Sequence, residues 1–182
     1  MRNPHQLLEC RQAIPADAET LSELGAAVFR VAYRSAFDSD QQMDGFIAAR
    51  LAPESFRATL EAGAPWSSLG SVNGVPAGFI QMEESSPPEC VDLPAMELWK
   101  LYVLQRFHGC GIADVLLARG LERAFESGAT HVWLCVWEHS PRAQAFYRRH
   151  GFSAVGEMSH TWAGVSFRDV VMTRRITPHS AT

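Results

Sequence analysis

The stretch from Met96 to Leu104 reads as a long strand, breaks at His108-Gly109-Cys110-Gly111, and resumes as a helix from about Gly111 to Ser127. Another strand-like run follows, His131 to Trp137. Strand, helix and strand in that succession form a β-α-β unit, which places the two strands parallel. Only this segment, Met96 to Trp137, reads as a β-α-β unit, because the order along the rest of the chain is irregular. A regular β-α alternation is therefore ruled out, and the pattern is α+β or mixed-sheet.

The flanking elements fill in that plan. Leu7 to Ile14 reads as a short first strand ended by Pro15. Asp17 is placed to cap a helix whose apolar stripe is Leu21, Leu24, Val28, Val31 and Ala32. A second helical region spans Asp40 to Ala62, divided by Pro53 at a helix start. Strands at Trp66–Val72 and Pro76–Glu83 flank Asn73-Gly74, a type I′ hairpin signal because both residues tolerate positive φ. Ser85 to Leu93, with Pro87 and Pro88, is a loop, and Gly128 suits the C′ position of the helix after the glycine turn. Ser140 to Arg149 reads as a helix, with closing strands near Phe152–Ser159 and Phe167–Ile176. The predicted order is β-α-α-β-β-β-α-β-α-β-β.

At 182 residues, 47% hydrophobic and 20% charged, the chain suits one globular domain over 1–182. No apolar run reaches the roughly 18 residues that span a bilayer, and Met1 to Cys10 lacks a secretory apolar core. Those features set the expectation of a cytoplasmic protein with no membrane partner. Cys10, Cys90, Cys110 and Cys135 are far apart with no C-x-x-C pair, and read as buried or incidental thiols. The net charge of -4 divides unevenly: residues 1–97 hold 14 acids and 6 bases, residues 98–182 hold 6 acids and 10 bases. An acidic half beside a basic half suits two ligands of opposite sign, and solvated surface scatter suits it as well. A pI near 6.0 and no basic stripe argue against nucleic acid.

The glycine turn concentrates the chemistry. Free amides at a helix N-terminus, with the helix dipole behind them, hold phosphate oxygens, and glycine lets the backbone approach closely. A P-loop needs a Gly-Lys pair, but the one lysine, Lys100, precedes the turn. A dinucleotide fingerprint needs a third glycine where Asp114 stands and an acid where the chain has His131. A plain strand-to-helix turn also fits these residues.

The run Glu97 to Ala113 resembles motif A of the GNAT superfamily of acetyl-CoA-dependent N-acetyltransferases, whose [Q/R]-x-x-G-x-[G/A] core falls here on His108, Gly111 and Ala113. The first position departs from the pattern. Trp137 to Tyr147, followed by Gly151-Phe152, is similar to the family's N-x-x-A-x-x-[F/L]-Y-x-x-x-G-F stretch, with Ser140 in place of Asn. Ser140 and Pro141 remain a good N-cap and N1 pair. The resemblance spans about residues 66–176. Glu97 to Val103, Trp133 to Glu138, Gly156 to Ser159 and Asp169 to Met172 resemble the PaiA-like branch, whose members acetylate polyamines such as spermidine.

What the resemblance implies is an α+β GNAT fold, a mixed, mostly antiparallel central sheet flanked by helices, with a cofactor-binding core at about 96–152. Acetyl-CoA would serve as cosubstrate, and a small-molecule amine as acceptor, most simply a polyamine. It implies that the pantetheine arm pairs with Leu101, Tyr102 and Val103, and that the pyrophosphate meets His108, Gly109, Cys110, Gly111, Ile112 and Ala113. Ser140 and Tyr147 complete the cofactor set. Tyr147 is the candidate general acid for the departing thiolate, although a helix aromatic packed on the sheet fits the same place. Glu97 is the candidate base, directly or through water, and a solvent-facing carboxylate fits equally.

Other readings stay open. Asp38, Asp40, Asp44, Glu83 and Glu84 would attract a polycation or simply solvate the surface, and Tyr33, Phe37 and Trp162 would line an acceptor cleft or pack in the core or on the surface. A protein N-terminus or side chain, or an amine antibiotic, is the alternative acceptor. A CoA-sensing module that lost the chemistry is the alternative to an enzyme. The run His131-x-x-x-Cys135-x-x-x-His139 is not a zinc site, because strand residues four apart lie about 13 Å from each other; no metal is expected. The last strand, Phe167 to Ile176, is a candidate edge for a homodimer.

Overall fold

Asn73 and Gly74 turn the chain with φ of 51° and 75°, the positive values that a type I′ hairpin demands. They join β2 (Trp66–Val72) to β3 (Val75–Glu83) in a computed structural model that describes residues 6–162 and 164–177. In chain order the other elements are β1 (Leu8–Gln12), α1 (Ala18–Ala32), α2 (Asp40–Arg50), α3 (Pro53–Ala62), β4 (Ala95–Val103), α4 (Ile112–Glu126), β5 (His131–Trp137), α5 (Pro141–Arg149), β6 (Ser153–Trp162) and β7 (Val165–Arg175). The second helical region is thus two helices, with Pro53 in the first turn of α3, where its missing N–H costs nothing.

The seven strands form one sheet in the order β1-β2-β3-β4-β5-β7-β6. Every neighbouring pair is antiparallel except β4 with β5. This is the GNAT fold expected from the sequence. One face is covered by α4, whose Ile112, Leu116, Leu117 and Leu121 meet Ile80, Met82 and Val132. The other is covered by α1, α2 and α3, whose Leu21, Phe29, Met43 and Phe56 enclose Leu69 and Phe79. Gly78 lets β3 and β4 close up: a Cβ there would stand 2.3 Å from the Tyr102 carbonyl oxygen.

Four expectations need correction. Val31 is 62% exposed, so the α1 stripe that reaches the core is Leu21, Leu24 and Phe29. The predicted final strand is no edge, because β6 folds back outside β7 and takes that position with β1 at the far side. Ser140 stands at the N-cap of α5 without a side-chain capping bond. Asp17 likewise does not cap α1.

Asp17 instead ties the end of β1 to the following turn. It accepts from both terminal nitrogens of Arg11 at 2.7 Å and from the Ile14 amide at 2.8 Å. The Arg11 bond holds its carboxyl below the ordinary 3.8, against the opposing effect of burial. A depressed folded-state value means stabilisation that is complete above the ordinary range and disappears as pH falls through the folded value. Asp17→Asn is therefore expected to cost about 1–3 kcal/mol in urea melts at pH 7. The same variant should match the wild type near pH 2, and an equal deficit at both pH values would refute the ionic account.

Candidate active site

The parallel ladder between β4 and β5 is short. It holds three pairs, Ala95 with His131, Met96 with Val132 and Glu97 with Trp133. Beyond them β4 runs on to Val103 and β5 to Trp137 with no pairing between the two among the described residues. Strands twist, and this pair splays into a V. On the β3 side, Lys100 pairs with Gln81 and Leu98 with Met82, so Trp99 is an extra residue in a bulge just past the closed end of the V.

The V opens into a cleft of about 780 Å³ whose walls come from α1, β4, the glycine turn, β5 and α5. Leu101, Tyr102 and Val103 line it along the unpaired edge of β4. The turn follows directly. Gly109 and Gly111 sit at φ of 85° and 102°, a region closed to most side chains. The amides of His108 and Cys110 are engaged by the carbonyls of Gln105 and Phe107, at 3.0 and 3.4 Å. Those of Gly109, Gly111, Ile112 and Ala113 have no backbone acceptor among the described residues, and they open the α4 N-terminus with its dipole.

The predicted cofactor residues thus divide. Gly109, Gly111, Ala113, Ser140 and Tyr147 line the cleft together with the β4 edge. Ile112 has a fully buried side chain, leaving only its amide for a ligand, and the Cys110 side chain packs on the core. His108 lines the cleft, and its Nε2 donates to the Val103 carbonyl at 3.0 Å, which fixes the proton on that nitrogen. Arg142 and Arg149 also line it, bringing cations from the basic half of the sequence.

Tyr147 lies on α5 between the edges of Phe146 and Phe152. Burial drives its phenol well above the usual 10, with Tyr33 adding to the effect, so the hydroxyl stays protonated at neutral pH. Gln144 anchors the helix that carries it, donating to the carbonyls of Trp137 and Glu138 at 3.3 and 3.0 Å. His150, at the end of α5, lies 2.9 Å from Asp114 in the first turn of α4. Cys135 faces the cleft, but burial pushes its thiol up to about 12, so it is no nucleophile near neutral pH.

Glu97 does not line the cleft. It sits in the last β4–β5 pair and accepts from the Ser85 hydroxyl at 2.6 Å. Burial raises its carboxyl, the Ser85 bond opposes this, and Glu83 adds to the rise. Of the aromatics, Tyr33 lines the cleft, stacked on Trp137 at 5.2 Å, whereas Phe37 is buried in the core. The Trp162 side chain lies outside the described residues. Asp40 and Asp44 are paired with Arg34 and Arg30 on the surface, and Asp38 and Glu84 are not in the cleft lining.

Three features went unread in the sequence. Val28 and Val31 line the cleft as its α1 wall; their apolar spacing was indistinguishable from a core stripe. Glu138 and His160 line a second hollow of about 530 Å³ that shares His139 with the cleft. Lys100 faces the cleft from β4. No metal-binding group of three or more His, Cys, Asp or Glu occurs among the described residues.

Residues 29–152 match the Acetyltransferase (GNAT) family, well over half of the chain, and the protein belongs to that family. An uncharacterized N-acetyltransferase of Mycobacterium tuberculosis is 38% identical over 81 residues, 44% of this chain and 52% of its own length. One from Lactobacillus delbrueckii subsp. lactis is 29% identical over 87 residues, 47% and 50% respectively. The matches thus span about half the length of these relatives. Among solved structures, PaiA N-acetyltransferase from Thermoplasma acidophilum in complex with coenzyme A has a TM-score of 0.74 at 18% identity, covering 93% of this chain and 99% of that one. The yncA acetyltransferase from Salmonella typhimurium with acetyl-CoA has a TM-score of 0.66 at 18% identity, covering 97% and 98%. At such identities the likeness is one of fold.

Proposed function

We propose that the chain transfers the acetyl group of acetyl-CoA to a primary amine, as a single domain with its cofactor-binding core at about 96–152. The observation that carries this is the juxtaposition of the β4 edge at Leu101 to Val103, unpaired toward β5, with four amides at the glycine turn that meet no backbone acceptor among the described residues. A pyrophosphate fits those amides, with Arg142 and Arg149 beside it, and an amide-bearing arm fits the edge as a short extra strand. Acetyl-CoA supplies the acyl thioester. With its phosphates at the turn and its arm running from Val103 toward Leu101, the thioester arrives near Trp99 and Lys100, at the closed end of the V.

Tyr147 donates a proton to the departing sulfur. The neutral amine forms the N–C bond as the C–S bond breaks, and its surplus proton leaves toward Glu97 through water, since Glu97 stands outside the cleft lining. A small polyamine of the PaiA-like kind is the acceptor we favour, in the cytoplasm. Glu83 and Glu97 act electrostatically at the closed end, and Glu138 lines the adjoining hollow past the other end of β5, so carboxylates are available to a cationic amine at both places. Among the described residues no helix is long and apolar enough to cross a membrane.

The test is mass-spectrometric detection of product from acetyl-CoA and a panel of spermidine, an aminoglycoside and a generic peptide. Acetylated spermidine is expected, with a KM that rises steeply with salt if carboxylates steer the polycation. Product on another amine would replace the acceptor and keep the reaction. Acetyl-CoA binding with no product on any amine would favour a CoA sensor.

A further inference from the structure

We propose that Lys100 is itself an acetylation site, taking the acetyl group from acetyl-CoA bound in its own cleft when no amine acceptor is present. The inference rests on the acetyl-CoA reading above. Lys100 is the chain's one lysine, and it stands three residues beyond the last β4–β5 pair, at the closed end of the V. The Trp99 bulge shifts the side-chain alternation of β4, and both Trp99 and Lys100 line the cleft. The Lys100 ammonium group lies over the Trp99 ring, and no carboxylate is within ion-pair distance of it among the described residues. No salt bridge holds it away from a thioester delivered along Leu101 to Val103.

The charge state favours the same chemistry. Burial brings the amine down to about 7; Glu83 opposes that effect, Arg50 assists it, and Glu97 opposes it. About half of the amine is therefore neutral at pH 7, whereas an ordinary surface lysine near 10.4 is almost wholly protonated. The arginines in the cleft, Arg142 and Arg149, offer no competing nucleophile, because a guanidinium delocalises its nitrogen lone pairs. In the step itself, the Lys100 Nζ lone pair forms an N–C bond to the thioester carbonyl carbon and the C–S bond breaks. The surplus proton on Nζ goes to solvent, the leaving thiolate takes the Tyr147 proton, and solvent returns a proton to Tyr147. The products are Nε-acetyl-lysine and CoA.

The full chain is incubated with acetyl-CoA and no amine, treated with hydroxylamine to strip any thioester from the four cysteines, and analysed by intact mass and peptide mapping. A single acetyl increment on Lys100 is expected, forming about tenfold or more faster than on the urea-unfolded chain, because a held amine reacts as an intramolecular group. Its rate should rise through about pH 7, and Lys100→Arg should abolish it. Calorimetry of acetyl-CoA binding runs in parallel. Binding without an increment on Lys100, or an equal rate on the unfolded chain, overturns the proposal and leaves the acetyl-CoA reading standing. Absence of binding overturns both.

Discussion

Tyr147→Phe is expected to lower kcat by about 10²–10⁴-fold, the usual worth of a positioned general acid, with little change in acetyl-CoA affinity. The substitution removes one oxygen and keeps the ring that packs against Phe146 and Phe152. Stability and cleft shape should therefore persist. Burial holds the phenol above its ordinary 10, so wild-type kcat should show no alkaline fall from Tyr147 ionisation below about pH 10. Single-turnover kinetics with calorimetric binding separates the two quantities. An unchanged chemical step would remove Tyr147 from the mechanism and leave it as packing.

Phe79→Ala is expected to cost about 3–5 kcal/mol, the range for emptying a fully buried aromatic site. Phe79 is 0% exposed in β3, with its ring against Phe56 at 5.7 Å and Tyr102 at 5.5 Å. Set against a total stability of about 5–15 kcal/mol, that is a large share. At about 2–4 °C per kcal/mol for a chain of this size, Tm should fall by roughly 10 °C. Because Tyr102 lines the cleft, loosening its support should weaken acetyl-CoA binding as well. Differential scanning calorimetry decides the matter: a Tm within about 2 °C of wild type, well short of the range for such a truncation, would show that the ring does not bridge α3 and β4.

The fold was legible because its strongest signals are local. Asn73-Gly74, Pro53 and Gly128 each specify one backbone conformation, and each element they delimit is where the sequence places it. The glycine turn was legible for the same reason, since Gly109 and Gly111 occupy positive φ. What escaped reading depends on partners distant in sequence. Asp17 has an N-cap's identity and position, yet Arg11 and the Ile14 amide claim its carboxylate. Phe167 to Ile176 is last in the sequence but not outermost, because strand order is set by which strand finds β5. Val31 belongs to the helix period and faces a cavity, a distinction that periodicity cannot draw. Glu97 lies on β4 where the sequence places it, but the bulge at Trp99 changes which side chains of β4 reach the cleft.

The brevity of the β4–β5 ladder has a wider consequence. Sheets ordinarily fray from their edges, where strands lack a neighbour, while central strands are the last to open. Here β1 to β4 on one side and β5, β7 and β6 on the other are sewn together by three residue pairs in the middle. The seam of least cohesion runs through the centre of the sheet. Three pairs hold that seam, against five between β1 and β2 and seven between β5 and β7, so opening of the sheet is expected there first, with α4 packed across both halves.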